Sequence, residues 1–319
     1  MIIHIGLCAD KNFALPLGVC ITSIFESHKS TNICVHILTP GLLSDDVKRL
    51  KALKSKYGHE ILIHKIDDSV FDNLPVSTLF PKAIYYRYLF ASILTPDIDK
   101  ILYIDCDAIV LDDLAELYSI DLNNHPFAAA EDRSSDEIIE RNRIEIYDGA
   151  YFNSGVLLLN LKFWRENDSF RSLITYVSNN PKKCLWPDQD ALNILYHNEV
   201  LIIPPKYNFL ISFIEPFEKL GLHKKKWAGI VKSIQNITIL HFATKEKPWF
   251  KHVRHPLKPI WIYYYRISLW RNHKLKDPRS IIERFIDFYK YRILGWNRYP
   301  VEKSMDKFVK ELNTQFENF

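Results

Sequence analysis

The stretch Ile101-Leu102-Tyr103-Ile104-Asp105-Cys106-Asp107 joins a short apolar run to two carboxylates two positions apart. A continuous apolar run of this length is typical of a buried strand in an α/β sheet. Because alternate residues of a strand share a face, Asp105 and Asp107 are predicted to converge at its carboxyl end, where open α/β sheets bind their ligands. Adjacent carboxylates repel each other unless a cation or proton lies between them. A hard divalent ion that holds a phosphate would explain the pair economically. Taken alone, however, the stretch favours a pair of solvated acids at a strand end, because a lone Asp-x-Asp is common.

Strand and helix patterns alternate on both sides of this stretch. Upstream, strands are predicted at 2–8, 34–39 and 60–66, and helices at 14–28 and from an N-cap at Ser44 to Gly58. Downstream, strands are predicted at 127–130, 156–161, 200–203 and 237–240, a helix opens at Pro187, and the polar stretch 131–148 is interpreted as a loop over the site. This order predicts an α/β fold with a Rossmann-like, mainly parallel mixed sheet covered by helices.

Composition excludes several classes of protein. With 47% hydrophobic and 25% charged residues, the 319-residue chain is an ordinary globular protein and not a disordered one. The five cysteines are scattered without a CxxC pair, which is typical of buried free thiols in a reducing compartment. The apolar segment from Met1 to Phe25 does not open with basic residues and is interrupted by Asp10 and Lys11, so we do not interpret it as an export signal. A cytoplasmic protein is therefore predicted.

The last fifth of the chain differs from the rest in charge. Residues 251–319 hold 15 Lys and Arg against 7 Asp and Glu, whereas residues 1–250 hold 27 against 31. We therefore predict a domain at 1–250 and a basic, aromatic-rich, helical extension at 251–319. A basic amphipathic helix over 279–293 favours contact with an anionic membrane surface, and a packed subdomain is compatible with it. Nucleic acid is not predicted as a partner.

Two further polar residues follow late strands. His241 ends the strand predicted at 237–240, and Lys247 follows closely. An imidazole beside Asp105 and Asp107 completes a mixed oxygen and nitrogen site that suits Mn²⁺ or Mg²⁺. Lys247 adds a positive charge for a diphosphate leaving group. Taken singly, His241 is an ordinary structural histidine and Lys247 a surface lysine; their joint order along the chain favours the functional interpretation.

Six motifs follow one another between residues 9 and 249: Ala9-Asp10-Lys11-Asn12, Tyr85-x-Arg87, Tyr103-Ile104-Asp105-Cys106-Asp107, Phe152-Asn153-Ser154-Gly155 with Val156 to Asn160, Asp188-Gln189-Asp190-x-Leu192-Asn193, and His241 with Lys247-Pro248-Trp249. In these motifs and their order the chain resembles the family 8 glycosyltransferases, a retaining group that includes bacterial lipopolysaccharide galactosyl- and glucosyltransferases and glycogenin. The resemblance implies a GT-A fold, a UDP-hexose donor, Mn²⁺, and a glycan or glycolipid acceptor such as lipopolysaccharide, lipooligosaccharide or another cell-surface saccharide. It also implies peripheral contact with the inner face of the membrane through 251–319.

The resemblance assigns roles residue by residue. Asp105, Asp107 and His241 match the metal ligands. Nucleotide and donor contacts match Ala9, Asp10, Asn12, Phe13, Arg87, Asp132 and Lys247, with Phe13 stacking on the base. The sugar and acceptor pocket matches Asn153, Asp188 and Gln189. Thr244 stands where the family usually has glycine, and its Cβ is expected to hinder close approach to the β-phosphate.

The mechanism implied is a front-face substitution. Retaining glycosidases place a carboxylate nucleophile under the sugar carbon, but the matching residue here is Gln189, a poor nucleophile. Gln189 and Asp188 are expected to position the sugar while Lys247 stabilises the leaving group. Two other functions stay open: a non-catalytic nucleotide-sugar binder, which Thr244 favours, and a haloacid-dehalogenase-type phosphatase. The phosphatase is disfavoured because its Asp-x-Asp usually opens the chain.

Overall fold

Strand and helix order follows the alternation predicted above. The structure is a computed structural model that describes residues 2–77, 80–132, 138–216 and 224–317. Its strands are β1 (Ile2–Cys8), β2 (Asn32–Thr39), β3 (Glu60–Lys65), β4 (Lys100–Ile104), β5 (Ala108–Val110), β6 (Phe127–Glu131), β7 (Phe152–Asn160), β8 (Leu201–Ile203), β9 (Phe209–Leu210) and β10 (Ile239–His241). Its α-helices are α1 (Ala14–Glu26), α2 (Ser44–Tyr57), α3 (Phe90–Ile93), α4 (Ala115–Tyr118), α5 (Ile138–Arg143), α6 (Leu161–Glu166), α7 (Ser169–Asn179), α8 (Pro187–Tyr196), α9 (Lys224–Ser233), α10 (Lys258–Ile267), α11 (Ile281–Phe288) and α12 (Lys303–Glu317).

The main sheet has the strand order β3-β2-β1-β4-β7-β6-β8 within the described residues. Only β7 runs antiparallel to its two neighbours, β4 and β6, and the other pairs are parallel. Alternate residues of β4 belong to two hydrophobic clusters, one on each face of the sheet, because the side chains of a strand point to opposite sides. The predicted α/β fold with a mainly parallel mixed sheet is confirmed. All five cysteines, each in the described part of the chain, are buried free thiols as predicted.

A second sheet, of order β5-β10-β9, positions two of the predicted metal ligands, Asp107 and His241. Strand β5 begins directly after Asp107, and β10 ends at His241. The two strands pair antiparallel with His241 opposite Ala108. Because Ala108 directly follows Asp107, this register brings the His241 imidazole close to the Asp107 carboxylate, although 133 residues separate the two along the chain.

The structure corrects several details of the sequence interpretation. Strand β4 ends at Ile104, so Asp105 and Asp107 do not share a strand face; they lie in a tight turn closed by a 3.0 Å hydrogen bond from the amide of Ala108 to the carbonyl of Asp105. Helix α2 begins at Ser44 itself, with Leu43 as its N-cap. The loop predicted at 131–148 contains helix α5, and its residues 133–137 lie outside the described residues.

The C-terminal region divides into a buried and an exposed part. Trp270 is fully buried, where it packs against Gly18 and donates from Nε1 to Oδ1 of Asp46 at 2.9 Å. By contrast, Ile281 and Phe285 of α11 are 83% and 70% exposed. The predicted amphipathic helix over 279–293 forms as α11 followed by a short π-helix at Tyr289–Ile293. None of the helices described is both long and apolar enough to cross a membrane.

Candidate active site

Three potential metal ligands converge at the carboxyl end of β4. One ligand atom each from Asp105, Asp107 and His241 lies within 4.8 Å of the other two. Nε2 of His241 is 3.1 Å from Oδ1 of Asp107 and 3.8 Å from Oδ2 of Asp105. Asp107 and His241 are buried and Asp105 is half-buried, so water screens their charges weakly. The structure thus brings together the three residues that the sequence predicted as metal ligands.

A relay of side-chain amides fixes which nitrogen of His241 carries hydrogen. The Asp132 carboxylate can only accept, so Nδ2 of Asn153 donates to it at 2.9 Å. Oδ1 of Asn153 then accepts from Nδ2 of Asn208 at 2.9 Å. Oδ1 of Asn208 is left facing Nδ1 of His241 at 2.8 Å, which makes Nδ1 the donor. In the neutral ring, Nε2 therefore points its lone pair at the two carboxylates.

This arrangement fits a divalent cation. A lone pair and two carboxylates that face one another need a positive charge between them. Gly155 keeps the space beside them clear, because a Cβ there would lie 2.1 Å from Cε1 of His241 and 2.8 Å from Oδ2 of Asp105. Two carboxylates with one imidazole suit Mn²⁺ or Mg²⁺ better than a thiolate-seeking metal.

Arg87 balances the acids on the opposite side of Asp105. Its guanidinium is buried, 3.0 Å from Oδ1 of Asp105 and 3.2 Å from Oδ2 of Asp188, and it donates to the carbonyl of Ser154 at 2.6 Å. Burial opposes its charge, yet the two carboxylates raise the pKa of Arg87 well above its ordinary value. Burial also raises the pKa of Asp188 although Arg87 opposes that shift. Arg87 thereby links the metal end of the site to the end predicted to hold the sugar.

Gln189 is held by hydrogen bonds at both ends of its amide. Its Oε1 accepts from Nδ2 of Asn153 at 3.0 Å and from the amide of Ser154 at 3.1 Å. Its Nε2 donates to the hydroxyl of Tyr151 at 3.1 Å and lies 3.4 Å from Oδ2 of Asp132. Oε1 therefore accepts two hydrogen bonds, which fix the orientation of the amide and lower the nucleophilicity of this oxygen.

Lys247 reaches the acidic turn from the segment after β10. Its ammonium group donates to Oδ2 of Asp107 and, at 3.0 Å, to the carbonyl of Phe242. Burial disfavours the Asp107 carboxylate, yet Lys247 and His241 together hold the pKa of Asp107 well below its ordinary range. A positive charge is thus fixed beside the predicted metal position, where a diphosphate would carry its negative charge.

The end of β1 borders a cavity of about 580 Å³ lined by Asp10, Pro40, Leu42 and Tyr86 among others. Oδ1 of Asp10 accepts from the amide of Asn12 at 2.8 Å, which shapes the loop beside this cavity. Such a mixed polar and apolar lining at the carboxyl ends of parallel strands suits a nucleoside.

Three other predicted nucleotide contacts lie outside that lining: Ala9, Asn12 and Phe13. Ala9 is buried and donates from its amide to the carbonyl of Leu38 at 3.2 Å. Phe13 packs edge-on against Trp249, with ring centroids 5.8 Å apart, and its stacking on a base stays a prediction.

Thr244 adopts a backbone conformation that any L-residue tolerates. The described residues with positive φ do not include it, and its amide donates to the carbonyl of Phe242 at 2.8 Å. Its hydroxyl donates to the carbonyl of Glu246 at 3.3 Å. The segment therefore does not need glycine to reach this conformation, although the predicted crowding of a phosphate remains a prediction.

Four residues of the site were not found by sequence reasoning: Tyr103, Tyr151, Ser154 and Asn208. The first three stand in or beside the quoted motifs. Tyr103 donates from its hydroxyl to Oδ1 of Asp105, and Ser154 donates from Oγ to Oδ2 of Asp188 at 2.9 Å. Asn208 lies in a 3₁₀ turn far from every motif, and no local pattern distinguishes it. Only the fold reveals that it joins Asn153 to His241.

Comparisons with known proteins agree with this geometry. The family model described as "Glycosyl transferase family 8" matches residues 4–252. General stress protein A of Bacillus subtilis is 28% identical over 277 residues, which cover 84% of this chain and 95% of that protein. A lipopolysaccharide 1,2-glucosyltransferase of Escherichia coli is 29% identical, with 82% and 78% covered. The crystal structure of the galactosyltransferase LgtC with donor and acceptor sugar analogues has a TM-score of 0.76 at 25% identity and covers 84% of this chain and 96% of its own.

Proposed function

Because the family model spans residues 4–252, this chain belongs to glycosyltransferase family 8, and we propose that it transfers galactose or glucose from a UDP-sugar to a glycan acceptor. Transfer with retention of configuration and dependence on Mn²⁺ are parts of this proposal. The observation that carries it is the convergence of Asp105, Asp107 and His241, with His241 linked through Asn208 and Asn153 to Gln189. The acceptor proposed is a lipopolysaccharide, lipooligosaccharide or related cell-surface saccharide, and lipopolysaccharide is the saccharide in the name of the glucosyltransferase relative.

The mechanism divides the site into a leaving-group end and a sugar end. When bound, Mn²⁺ supplies Lewis-acid stabilisation of the charge that develops on the diphosphate. Lys247 contributes a second positive charge there, already oriented by Asp107 and the Phe242 carbonyl. Arg87 pairs with both Asp105 and Asp188, so its positive charge offsets the repulsion between the two carboxylates.

The sugar end supports a front-face substitution. Gln189 is an amide, which is a poor nucleophile, and its Oε1 accepts two hydrogen bonds. Its side chain is therefore unsuited to the covalent intermediate that retaining glycosidases form through a carboxylate. Oδ2 of Asp188 pairs with Arg87 and accepts from Ser154, which fixes the orientation of that carboxylate. Both are held rigidly enough to position the sugar, and the departing phosphate oxygen accepts the acceptor's proton.

Release of UDP tests the proposal. The full chain is incubated with UDP-galactose or UDP-glucose and Mn²⁺, and release is measured before and after EDTA. We expect one donor to be favoured and EDTA to abolish release. Release that survives EDTA would refute the metal-dependent scheme, and metal-dependent donor binding without turnover on any acceptor would favour the non-catalytic binder.

The role of Gln189 is tested by replacing it with alanine. We expect Gln189→Ala to lower turnover about 100-fold, since a positioning group of the reacting centre is lost. Gln235→Ala is the matched control because Gln235 is exposed and outside the site. Near-normal turnover of Gln189→Ala would exclude a direct role.

For the C-terminal region we propose contact with an anionic membrane surface at the cytoplasmic face, with 1–250 as the catalytic domain. The support is that Ile281, Phe285 and Phe288 of α11 are exposed beside Arg284.

A double variant tests this contact. Ile281→Ser with Phe285→Ser is expected to weaken co-sedimentation with anionic vesicles, whereas Val76→Ser, at another exposed apolar side chain, leaves it unchanged. Equal binding of both variants would contradict the proposal. Deleting the whole region is unsuitable because it removes buried Trp261 and Trp270.

A further inference from the structure

A second group of metal-ligating side chains lies on the first two strands. His4 of β1 and Cys34 of β2 are register partners, and His36 stands two residues further along β2. All three therefore point to one face of the sheet. One ligand atom from each lies within 4.8 Å of the other two. This group contains a thiol and two imidazoles, whereas the candidate active site contains carboxylates.

The imidazoles are already arranged as ligands are in metal sites. Nδ1 of His4 and Nε2 of His36 face each other at 2.9 Å. Nδ1 of His36 faces Nε2 of His64 on β3 at 3.1 Å. A histidine that binds a metal through one nitrogen usually donates from the other to a fixed acceptor, and His64 is placed to be that acceptor.

We propose that His4, Cys34 and His36 form a zinc site, with His64 orienting His36. Zinc takes sulfur and nitrogen ligands at about 2.0–2.3 Å in a tetrahedron, which sets ligand atoms roughly 3.3–3.8 Å apart. The observed separations, from 2.9 Å between the two imidazoles to at most 4.8 Å in the whole group, bracket that range. Small side-chain rotations therefore suffice, and water completes the fourth position.

Binding has a defined proton balance. The Cys34 thiol loses its proton to solvent as the zinc–sulfur bond forms. The hydrogen between Nδ1 of His4 and Nε2 of His36 moves to the other nitrogen of its own ring by exchange with solvent, so that both facing nitrogens present lone pairs. His4 then carries its one hydrogen on Nε2, and His36 carries its one hydrogen on Nδ1 and donates it to Nε2 of His64. This shift releases no proton. One proton is released for each zinc ion bound.

The site is separate from the candidate active site. His4 precedes the end of β1 by four residues, which corresponds to roughly 13 Å along a strand. His4 and His64 are only partly buried, and β3 is the edge strand of the sheet, so a metal ion can reach the group from solvent. A zinc ion here would join β1 to β2 without contacting the donor.

Cobalt is the spectroscopic probe, because Co²⁺ bound to thiolate gives a charge-transfer absorption that carboxylate and imidazole ligands do not give. The full chain is freed of metal by chelation, then titrated with Co²⁺ and, separately, with Zn²⁺ against a chromophoric chelator. We expect one thiolate-bound Co²⁺ per chain, release of one proton, and a rise in the thermal midpoint with Zn²⁺. No charge-transfer absorption in the wild-type chain would overturn the proposal.

Variants locate the ligands. Cys34→Ser is expected to abolish the charge-transfer absorption, and His4→Gln to weaken zinc binding at least tenfold, with His4 tolerant of change because it is partly exposed. His64→Gln is expected to weaken it about tenfold through loss of the outer partner. Cys184→Ser is the matched control, a buried free thiol elsewhere, and keeps the signal. Persistence of the absorption in Cys34→Ser would assign the thiolate to another cysteine and refute the site.

Discussion

Gly155 offers the sharpest test of the active-site geometry. It lies in β7, and a Cβ added there would come within 2.1 Å of Cε1 of His241. Ordinary carbon–carbon contacts are about 3.5–4.0 Å, so the imidazole of Gly155→Ala must move by about 1.5 Å. The backbone cannot yield easily, because the carbonyl of Gly155 accepts from the amide of Asp105 at 2.7 Å. Its φ lies outside the left-handed region, so the penalty is steric and not conformational.

The consequences of Gly155→Ala differ for stability and for metal binding. Overpacking of this kind costs about 1–3 kcal/mol of the free energy of unfolding. Metal–ligand distances tolerate only about 0.2 Å, so a displacement of about 1.5 Å is expected to remove His241 as a ligand. We therefore expect Mn²⁺ affinity to fall by more than tenfold, with UDP release reduced at least as much.

The assay measures Mn²⁺ affinity by titration calorimetry in the presence of UDP, with UDP release and thermal unfolding on the same samples. Gly229→Ala is the control, since nothing lies within 4 Å of its added Cβ and it stands inside helix α9. That change is expected to raise stability by about 0.5–1 kcal/mol and leave turnover alone. If Gly155→Ala bound Mn²⁺ and turned over like the wild type, Gly155 would not be spacing His241 from Asp105, and the proposed site would be wrong.

Two other predictions concern stability. His255 is buried and its pKa falls from 6.5 to about 4, chiefly through burial, so between these pH values the unfolded chain binds a proton that the folded chain does not. The free energy of unfolding should therefore drop by up to about 3 kcal/mol as the pH falls from 6.5 to about 4. His255→Asn should lose this part of the drop in pH-dependent denaturation. Equal pH dependence in both proteins would contradict it. Trp270→Ala is expected to cost about 3–5 kcal/mol in chemical denaturation, whereas Trp296→Ala, at a side chain 61% exposed, should stay within about 0.5 kcal/mol, and similar costs would refute the packing described for the C-terminal region.

The sequence predicted features that depend on neighbouring residues better than features that depend on contacts between residues far apart in the chain. The alternation of strands and helices is local, so it emerged from periodicity, and the strand before Asp105 was placed within the observed β4. The convergence of Asp105 and Asp107 was predicted correctly for an inexact reason, because a turn and not a strand face brings them together. His241 was recognised by motif order, while its actual position follows from the pairing of β5 with β10.

Non-local packing set the limit. Asn208 has no motif around it, and its importance exists only because the fold places it between Asn153 and His241. The basic composition of 251–319 could not show that Trp261 and Trp270 are buried while α11 is exposed. Residues on both sides of the predicted boundary at 250, such as Val19 and Trp261, share one hydrophobic cluster. The division into two domains stays a prediction.

The amide relay from Asp132 to His241 carries a direction as well as a connection. Each asparagine has one donating and one accepting end, so the orientation of Asn153 dictates that of Asn208. Asn153, which is not one of the three predicted metal ligands, thereby determines which nitrogen of His241 carries no hydrogen. The amide of Gly155 donates to Oδ1 of Asn153 at 3.0 Å and so holds Asn153 in the same orientation as the Asp132 carboxylate does. The sugar pocket and the predicted cation position are therefore joined by one chain of oriented side-chain amides, whose direction two separate groups fix.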